Sequence, residues 1–216
     1  MKTAIIIPNF NDNQKLDELI HSIHVENKED IIIVDDGSKK QYKSNNTNIS
    51  VLYNETNRGK GYSLLKGFKY AYSKGYIHAI TLDADLQHNP LHIKEFINSN
   101  DNNDLVLGYR IFSKEMPIHR RISNVITSKL VSLIVKEKIL DSQCGFRRYN
   151  IKKVLDDTYI EMGFQFESEV IIKLFKGHLK FEHIPISTIY NNEISSMNNI
   201  MDTIKFIRLI IRSIIF

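Results

Sequence analysis

The chain alternates short apolar runs with amphipathic stretches. Continuous runs rich in Ile, Val and Leu fall at residues 3–7, 30–34, 49–53, 77–82 and 104–107. They read as strands buried on both faces, because a strand covered on each side loses the in/out alternation of a half-exposed one. Between them, residues 13–24 place Leu16, Leu19, Ile20 and Ile23 at helical spacing, and residues 60–73 do the same with Leu64, Leu65, Phe68 and Ala71. This alternation predicts an α/β, three-layer, Rossmann-like fold: a mostly parallel central sheet with crossover helices covering it. Residues 45–48 and 98–104 are polar, Asn-rich loops, and no shift in composition marks a domain boundary.

A chain of 216 residues is long enough for one sizeable core without staples. Cys144 is the only cysteine, so no intrachain disulfide can form and a reducing cytoplasm fits best. The opening "MKTAIIIPNF" breaks at Pro8 and Asn9, which suits a first strand rather than a secretory leader. The net charge of +4 and sequence pI of about 9.0 suit an anionic partner: nucleic acid, an acidic membrane surface or a phosphorylated small molecule. No run of about twenty apolar residues is present to span a bilayer. The final "IMDTIKFIRLIIRSIIF" sets Ile204, Ile207, Ile211 and Ile214 at helical spacing beside Lys205, Arg208 and Arg212. Residues 196–216 are thus expected to form an amphipathic basic helix. It either lies in a bilayer interface or packs on the domain formed by residues 1–195.

Chemistry concentrates where strands end. "PNFND" follows the first strand, "DDGS" the second and "DADLQHNP" the fourth. Each alone is an ordinary turn, and Asn89 is a good helix cap before Pro90. In open parallel sheets, however, the carboxyl edge is where ligands bind. Asp83 and Asp85, two residues apart on an extended segment, point to one side and repel unless a cation lies between them. Carboxylate and amide oxygens from Asp83, Asp85 and Gln87 suit Mg²⁺ or Mn²⁺, with water and substrate phosphates completing the shell. Cys144, with no partnered base in view, reads as a packed small residue rather than a nucleophile.

The order "PNFND", "DDGS", "NRGKG", "DADLQHNP", "GYR" and "DSQCGFRRY" resembles the family 2 glycosyltransferases of GT-A fold, in the branch of dolichyl- and polyprenyl-phosphate sugar synthases. The likeness runs over about residues 2–190. It implies a metal-dependent, inverting transfer of a sugar from a nucleotide-sugar donor. Carried over position by position, Pro8, Phe10 and Asp12 would border the nucleotide. Phe10 lacks the hydroxyl the family has there, and Asp12 is a methylene shorter than its Glu. Asp35 and Asp36 would accept from base or ribose. Lys60 would face the diphosphate, with Gly59 and Gly61 allowing close backbone approach. Asp83, Ala84 and Asp85 would meet the donor, Asp83, Asp85 and Gln87 would hold the metal, and Asp83, Asp85, Lys60 and Arg110 would carry the catalysis. Arg110, with Arg120 or Arg121 and Ser123, would bind an acceptor phosphate.

The acceptor decides the mechanism. A phosphate monoester, with a second pKa of about 6, is largely dianionic already and needs alignment more than a base. A glycan or other hydroxyl acceptor needs a base, for which Glu167 and Glu169 in "GFQFESE" are candidates. The resemblance favours polyprenyl phosphate. The expected partners are then a UDP- or GDP-sugar, polyprenyl phosphate, a membrane surface and a separate membrane protein, with no nucleic acid. The expected location is the cytoplasm, peripheral at the inner face of the membrane. A non-catalytic nucleotide-binding or scaffold protein is the remote alternative.

Overall fold

A computed structural model describes residues 2–26, 29–111, 116, 118–177, 179–189 and 199–215, of which 25, 26, 119, 199 and 200 by backbone only. Its centre is a seven-stranded sheet of β1 (Thr3–Asn9), β2 (Asp30–Asp35), β3 (Ile49–Tyr53), β4 (His78–Thr81), β5 (Leu105–Arg110), β6 (Arg147–Asn150) and β7 (Phe181–Ile186). The strand order is β3-β2-β1-β4-β6-β5-β7. All pairs are parallel except those made by β6. The five strands expected from the sequence are present, and order reverses at β1, which pairs with β2 on one side and β4 on the other. Such a reversal opens a crevice at the carboxyl edge.

Side chains alternate along each strand and so feed two cores. Ala4, Ile6, Ile32 and Val34 face one apolar cluster, while Ile5, Ile7, Ile31 and Ile33 face the other. Helix α1 (Asn13–Glu26) covers the second cluster with Leu16, Leu19, Ile20 and Ile23, joined by α3 (Ile93–Asn98) through Ile93 and Phe96. The opposite face carries α2 (Lys60–Ser73), α4 (Ile118–Val135), α5 (Ile151–Leu155), α6 (Phe166–Leu174) and α7 (Asn199–Ile215). Each fully buried aliphatic side chain in these clusters contributes about 1.5–3 kcal/mol. Asn89 caps the short 3₁₀ turn Pro90–His92 by accepting from the Leu91 N–H, as its place before Pro90 suggests.

Two strands escape a hydrophobic reading. β6 reads "RRYN" and is buried all the same, because Arg147 donates to three backbone carbonyls and Arg148 to those of Ser99 and Asn100, with Asp101 3.6 Å away. β7 carries Glu182, His183 and Pro185, a composition tolerated on the edge strand it forms. At the chain's other extreme, α7 packs on the domain through Phe206, Leu209 and Ile210. Ile204, Ile207, Ile211 and Ile214, the expected apolar stripe, point outward instead. No described helix is long and apolar enough to cross a membrane. The boundary expected between residues 195 and 196 lies outside the described residues.

Candidate active site

The carboxyl edge is assembled from the ends of β1, β2, β4 and β5, the starts of α2 and α6, and the loop entering β6. That last piece reaches the crevice because β6 runs antiparallel: Thr81 pairs with Arg147, so the amino end of β6 lies beside the carboxyl end of β4. The Thr81 hydroxyl donates to the Gly145 carbonyl at 2.7 Å and pins the loop there.

On the β1–β2 side, Pro8 lies within β1 opposite Val34. Phe10 is 48% exposed just beyond the strand, and Asp12 pairs with Lys15 at 3.4 Å. Asp35 and Asp36 are buried and organise backbone. Asp35 accepts from the N–H groups of Ser38 (2.8 Å) and Tyr42 (2.7 Å), while Asp36 accepts from those of Arg58 (2.9 Å) and Gly59 (2.8 Å) and from the Asn54 amide (2.6 Å). Both carboxylates hold the loops that wall the crevice. Gly59, at φ +96°, needs its missing Cβ for contact with Met162, whose carbonyl would lie 2.4 Å from that atom. The close approach expected of this glycine is therefore made to the chain itself.

Lys60, the first residue of α2, is 12% exposed, and its Nζ lies 2.6 Å from Asp83 Oδ1 and 3.1 Å from Glu167 Oε2. Burial alone would lower its pKa, but the two carboxylates outweigh burial and raise it, so the amine stays protonated. Asp83 is the complement: burial raises its pKa, and Lys60, with smaller effects from His88 and Arg110, more than offsets this, holding it below the usual carboxylate value. Gly145 sits directly against this pair, since a Cβ there would fall 2.4 Å from Asp83 Oδ2 and 2.9 Å from Lys60 Nζ. Ala84 is buried in the second cluster. Asp85 turns Oδ1 back onto the Gln87 N–H at 3.0 Å, and Leu86 between them takes φ +61°, a left-handed conformation costly for a side chain of its size. His88 is buried against Phe146, and burial lowers its pKa to about 4, so it is neutral beside the acids.

The donor set of Asp83, Asp85 and Gln87 is all hard oxygen. Among the described residues no group of three or more His, Cys, Asp or Glu is placed to hold a metal ion by itself. A site with so few protein oxygens fits Mg²⁺ or Mn²⁺ held jointly with phosphate and water.

Beside this lies a cationic region. Arg110, at the end of β5, makes a two-point pair with Asp141, Nε to Oδ2 at 2.7 Å and Nη2 to Oδ1 at 3.1 Å. Burial would raise the Asp141 pKa. The Arg110 charge and the bonds from Arg110 and the Gln143 N–H hold it down. Asn124 belongs to the buried face of α4, with Thr127, Ser128 and Val131. Arg120, one turn before Asn124, begins the same row and is half-buried, whereas Arg121 and Ser123 are exposed. Cys144 is buried and its thiol is pushed up to about 12 by burial, leaving it a packing group.

The two candidate bases separate. Glu167 sits in the crevice on Lys60, while Glu169 accepts from the N–H groups of Ile160 and Glu161 and pairs with Arg212 of α7 at 3.2 Å. Sequence reasoning missed Asp141, Gly145 and Arg147. Arg147 is fully buried and donates to the carbonyls of Ser142, Cys144 and Glu167, locking the loop of residues 142–145 to α6. All three lie in "DSQCGFRRY", a string that carries the family likeness but has no periodicity to single out these residues.

The sequence and the fold are similar to those of known proteins. A UDP-N-acetylglucosamine–dolichyl-phosphate N-acetylglucosaminyltransferase of Methanococcus voltae is 31% identical over 213 residues, covering 86% of this chain and 85% of that protein. A dolichol-phosphate mannosyltransferase of Pyrococcus furiosus is 28% identical over 191 residues, 80% of this chain and 53% of that one. In fold, glucosyl-3-phosphoglycerate synthase of Mycobacterium tuberculosis, solved with Mn²⁺, UDP and glucosyl-3-phosphoglycerate, superimposes with a TM-score of 0.72 at 15% identity over 99% of this chain and 78% of that one. The sequence profile of glycosyl transferase family 2 matches residues 4–175, and the chain belongs to that family.

Proposed function

We propose that the protein transfers a sugar from a UDP- or GDP-sugar to the phosphate of a polyprenyl lipid, with inversion at the sugar. The observation that carries this is the juxtaposition at one sheet edge of the Lys60–Asp83 pair at 2.6 Å with the Asp141-braced Arg110. The first suits a leaving diphosphate and the second an incoming phosphate. The sugar-to-lipid-phosphate transfer named for the relatives supports the same pairing.

Pro8, Phe10 and Asp12 border the nucleotide, over the loops that Asp35 and Asp36 organise. Asp83, Asp85 and Gln87 would hold Mg²⁺ or Mn²⁺, which when bound supplies positive charge to the departing diphosphate. Lys60, kept protonated, adds to that charge. Arg110 is fixed in plane by Asp141 and, with Arg120 at the start of the buried row of α4, orients the attacking phosphate oxygen. Glu167 is committed to Lys60 and acts by placing it. An acceptor already ionised needs no proton removed, which agrees with a site whose one internal glutamate is ion-paired. The enzyme would work as a peripheral protein at the inner, cytoplasmic face of a membrane.

The test is transfer of labelled sugar from a panel of UDP- and GDP-sugars, with Mg²⁺ or Mn²⁺, to a short-chain polyprenyl phosphate, following label into the organic phase. Arg110→Ala should reduce transfer at least 100-fold while nucleotide affinity changes little. Label that remains aqueous and attached to a glycan, with full activity in Arg110→Ala, would replace this reading by a hydroxyl acceptor.

A further inference from the structure

Helices α4 and α7 pack beside each other on the outside of α6, whose residues are buried almost throughout. α7 is fastened there by Gln165, which donates to Asp202, and by the Arg212–Glu169 pair. Each helix buries one face and presents a second apolar stripe to the outside. On α4 the stripe is Ile118, Ile122, Ile126 and Leu133, with Ile118 and Leu133 each 75% exposed; on α7 it is Ile204, Ile207, Ile211 and Ile214. Folding leaves both in water, although scattered exposure of this size is usual only for isolated residues.

Charge says what covers them. Lys129, Lys205 and Arg208 are exposed among the isoleucines. α4 contains no Asp or Glu, and the one acid of α7, Asp202, is buried. Both outer faces are therefore apolar and cationic with no exposed anion. A second copy of the same face would set cations against cations. Anionic lipid headgroups over an acyl layer match both properties. α4 also carries Arg120 in its first turns, so this surface adjoins the region assigned to the acceptor phosphate.

We propose that α4 and α7 together form the surface on which the protein lies against an anionic bilayer. The acceptor reading above makes such a surface useful, and the proposal rests on that reading only in preferring lipid to another anionic partner. Binding needs neither donor nor acceptor, so vesicles without polyprenyl phosphate test it independently of transfer.

The 216-residue chain is sedimented with vesicles of zwitterionic lipid, with and without an anionic lipid fraction. Binding to the anionic vesicles that weakens with salt is expected. Lys205→Ala with Arg208→Ala should lower partition roughly 30-fold, at about 1 kcal/mol per surface cation. Ile122→Ser with Ile126→Ser, and separately Ile207→Ser with Ile211→Ser, should each lower it at least tenfold. All these side chains are exposed, so thermal unfolding should show native stability. Loss confined to the α7 variants would overturn the two-helix surface, and unchanged binding in all variants would overturn docking altogether. A wild-type dimer in light scattering that the isoleucine variants convert to monomer, without vesicle binding, would assign the face to self-association instead. Loss of vesicle binding in variants that still transfer sugar to a soluble short-chain acceptor leaves the proposed activity standing.

Discussion

At Gly145 the site has no room for one more carbon. A Cβ would meet Asp83 Oδ2 at 2.4 Å and Lys60 Nζ at 2.9 Å, so the side chains of the pair would have to shift to admit it. Gly145→Ala should fold with a loss of about 1–3 kcal/mol yet weaken Mn²⁺-dependent UDP binding roughly tenfold or more, measured by calorimetry; wild-type affinity would show that the pair can shift freely. Asp85→Asn probes the neighbouring carboxylate. A neutral amide loses the charge that attracts a hard cation, so nucleotide affinity should cease to depend on added Mn²⁺ while metal-independent binding persists. A folded variant that keeps its Mn²⁺ response would remove Asp85 from the metal site. Asp83 and Asp85 stand out locally as acids after a strand, whereas Lys60, by itself an ordinary lysine at a helix start, is singled out only by the family resemblance. Gly145 and Asp141 were not legible, since their importance comes only from β6 running backwards beside β4.

Elements were legible in proportion to their apolar content. β1 to β5, α1 and α2 announce themselves by continuous or periodic Ile, Val and Leu. β6 hides two buried arginines whose bonds are to carbonyls far along the chain, and no local pattern encodes that. α7 gave its stripe away but not its orientation. The row Phe206, Leu209, Ile210 is as apolar as the isoleucine row, and only α6 beneath it selects the inward face. The polar fastening of α7 can be tested directly. Arg212 meets both Glu161 (3.3 Å) and Glu169 (3.2 Å), and Glu169 is almost fully buried. Arg212→Ala leaves Glu169 its two backbone donors and Lys173 at 3.8 Å, so the expected loss is about 1–3 kcal/mol in a denaturant midpoint, with nucleotide binding retained. An unchanged midpoint would mean that apolar contacts alone hold the helix.

Across the whole molecule, two apolar cores flank the sheet while the partly buried ion pairs Lys60–Asp83 and Arg110–Asp141 gather at its carboxyl edge. Acid should therefore weaken that edge in particular. The folded-state pKa values of Asp83 and Asp141 are both depressed from 3.8. The stabilisation they contribute is fully present above that value, where both folded and unfolded chains are ionised. It is lost as pH falls through the lower folded values, because there the unfolded chain binds protons that the native one refuses. Asp141→Asn removes one of these groups and takes from Arg110, which is only 15% exposed, the carboxylate of its two-point pair. At neutral pH the variant should be less stable by about 3–5 kcal/mol, the usual effect of breaking a buried pair from one side. The gap between wild type and variant should then close as pH is lowered from about 5 towards 2, since only the wild type still has this carboxylate to protonate. Urea midpoints across that range measure both slopes. A gap that stays constant into acid would mean that Asp141 is not held ionised by Arg110, and with it the rigid placement of the acceptor arginine would lose its physical basis.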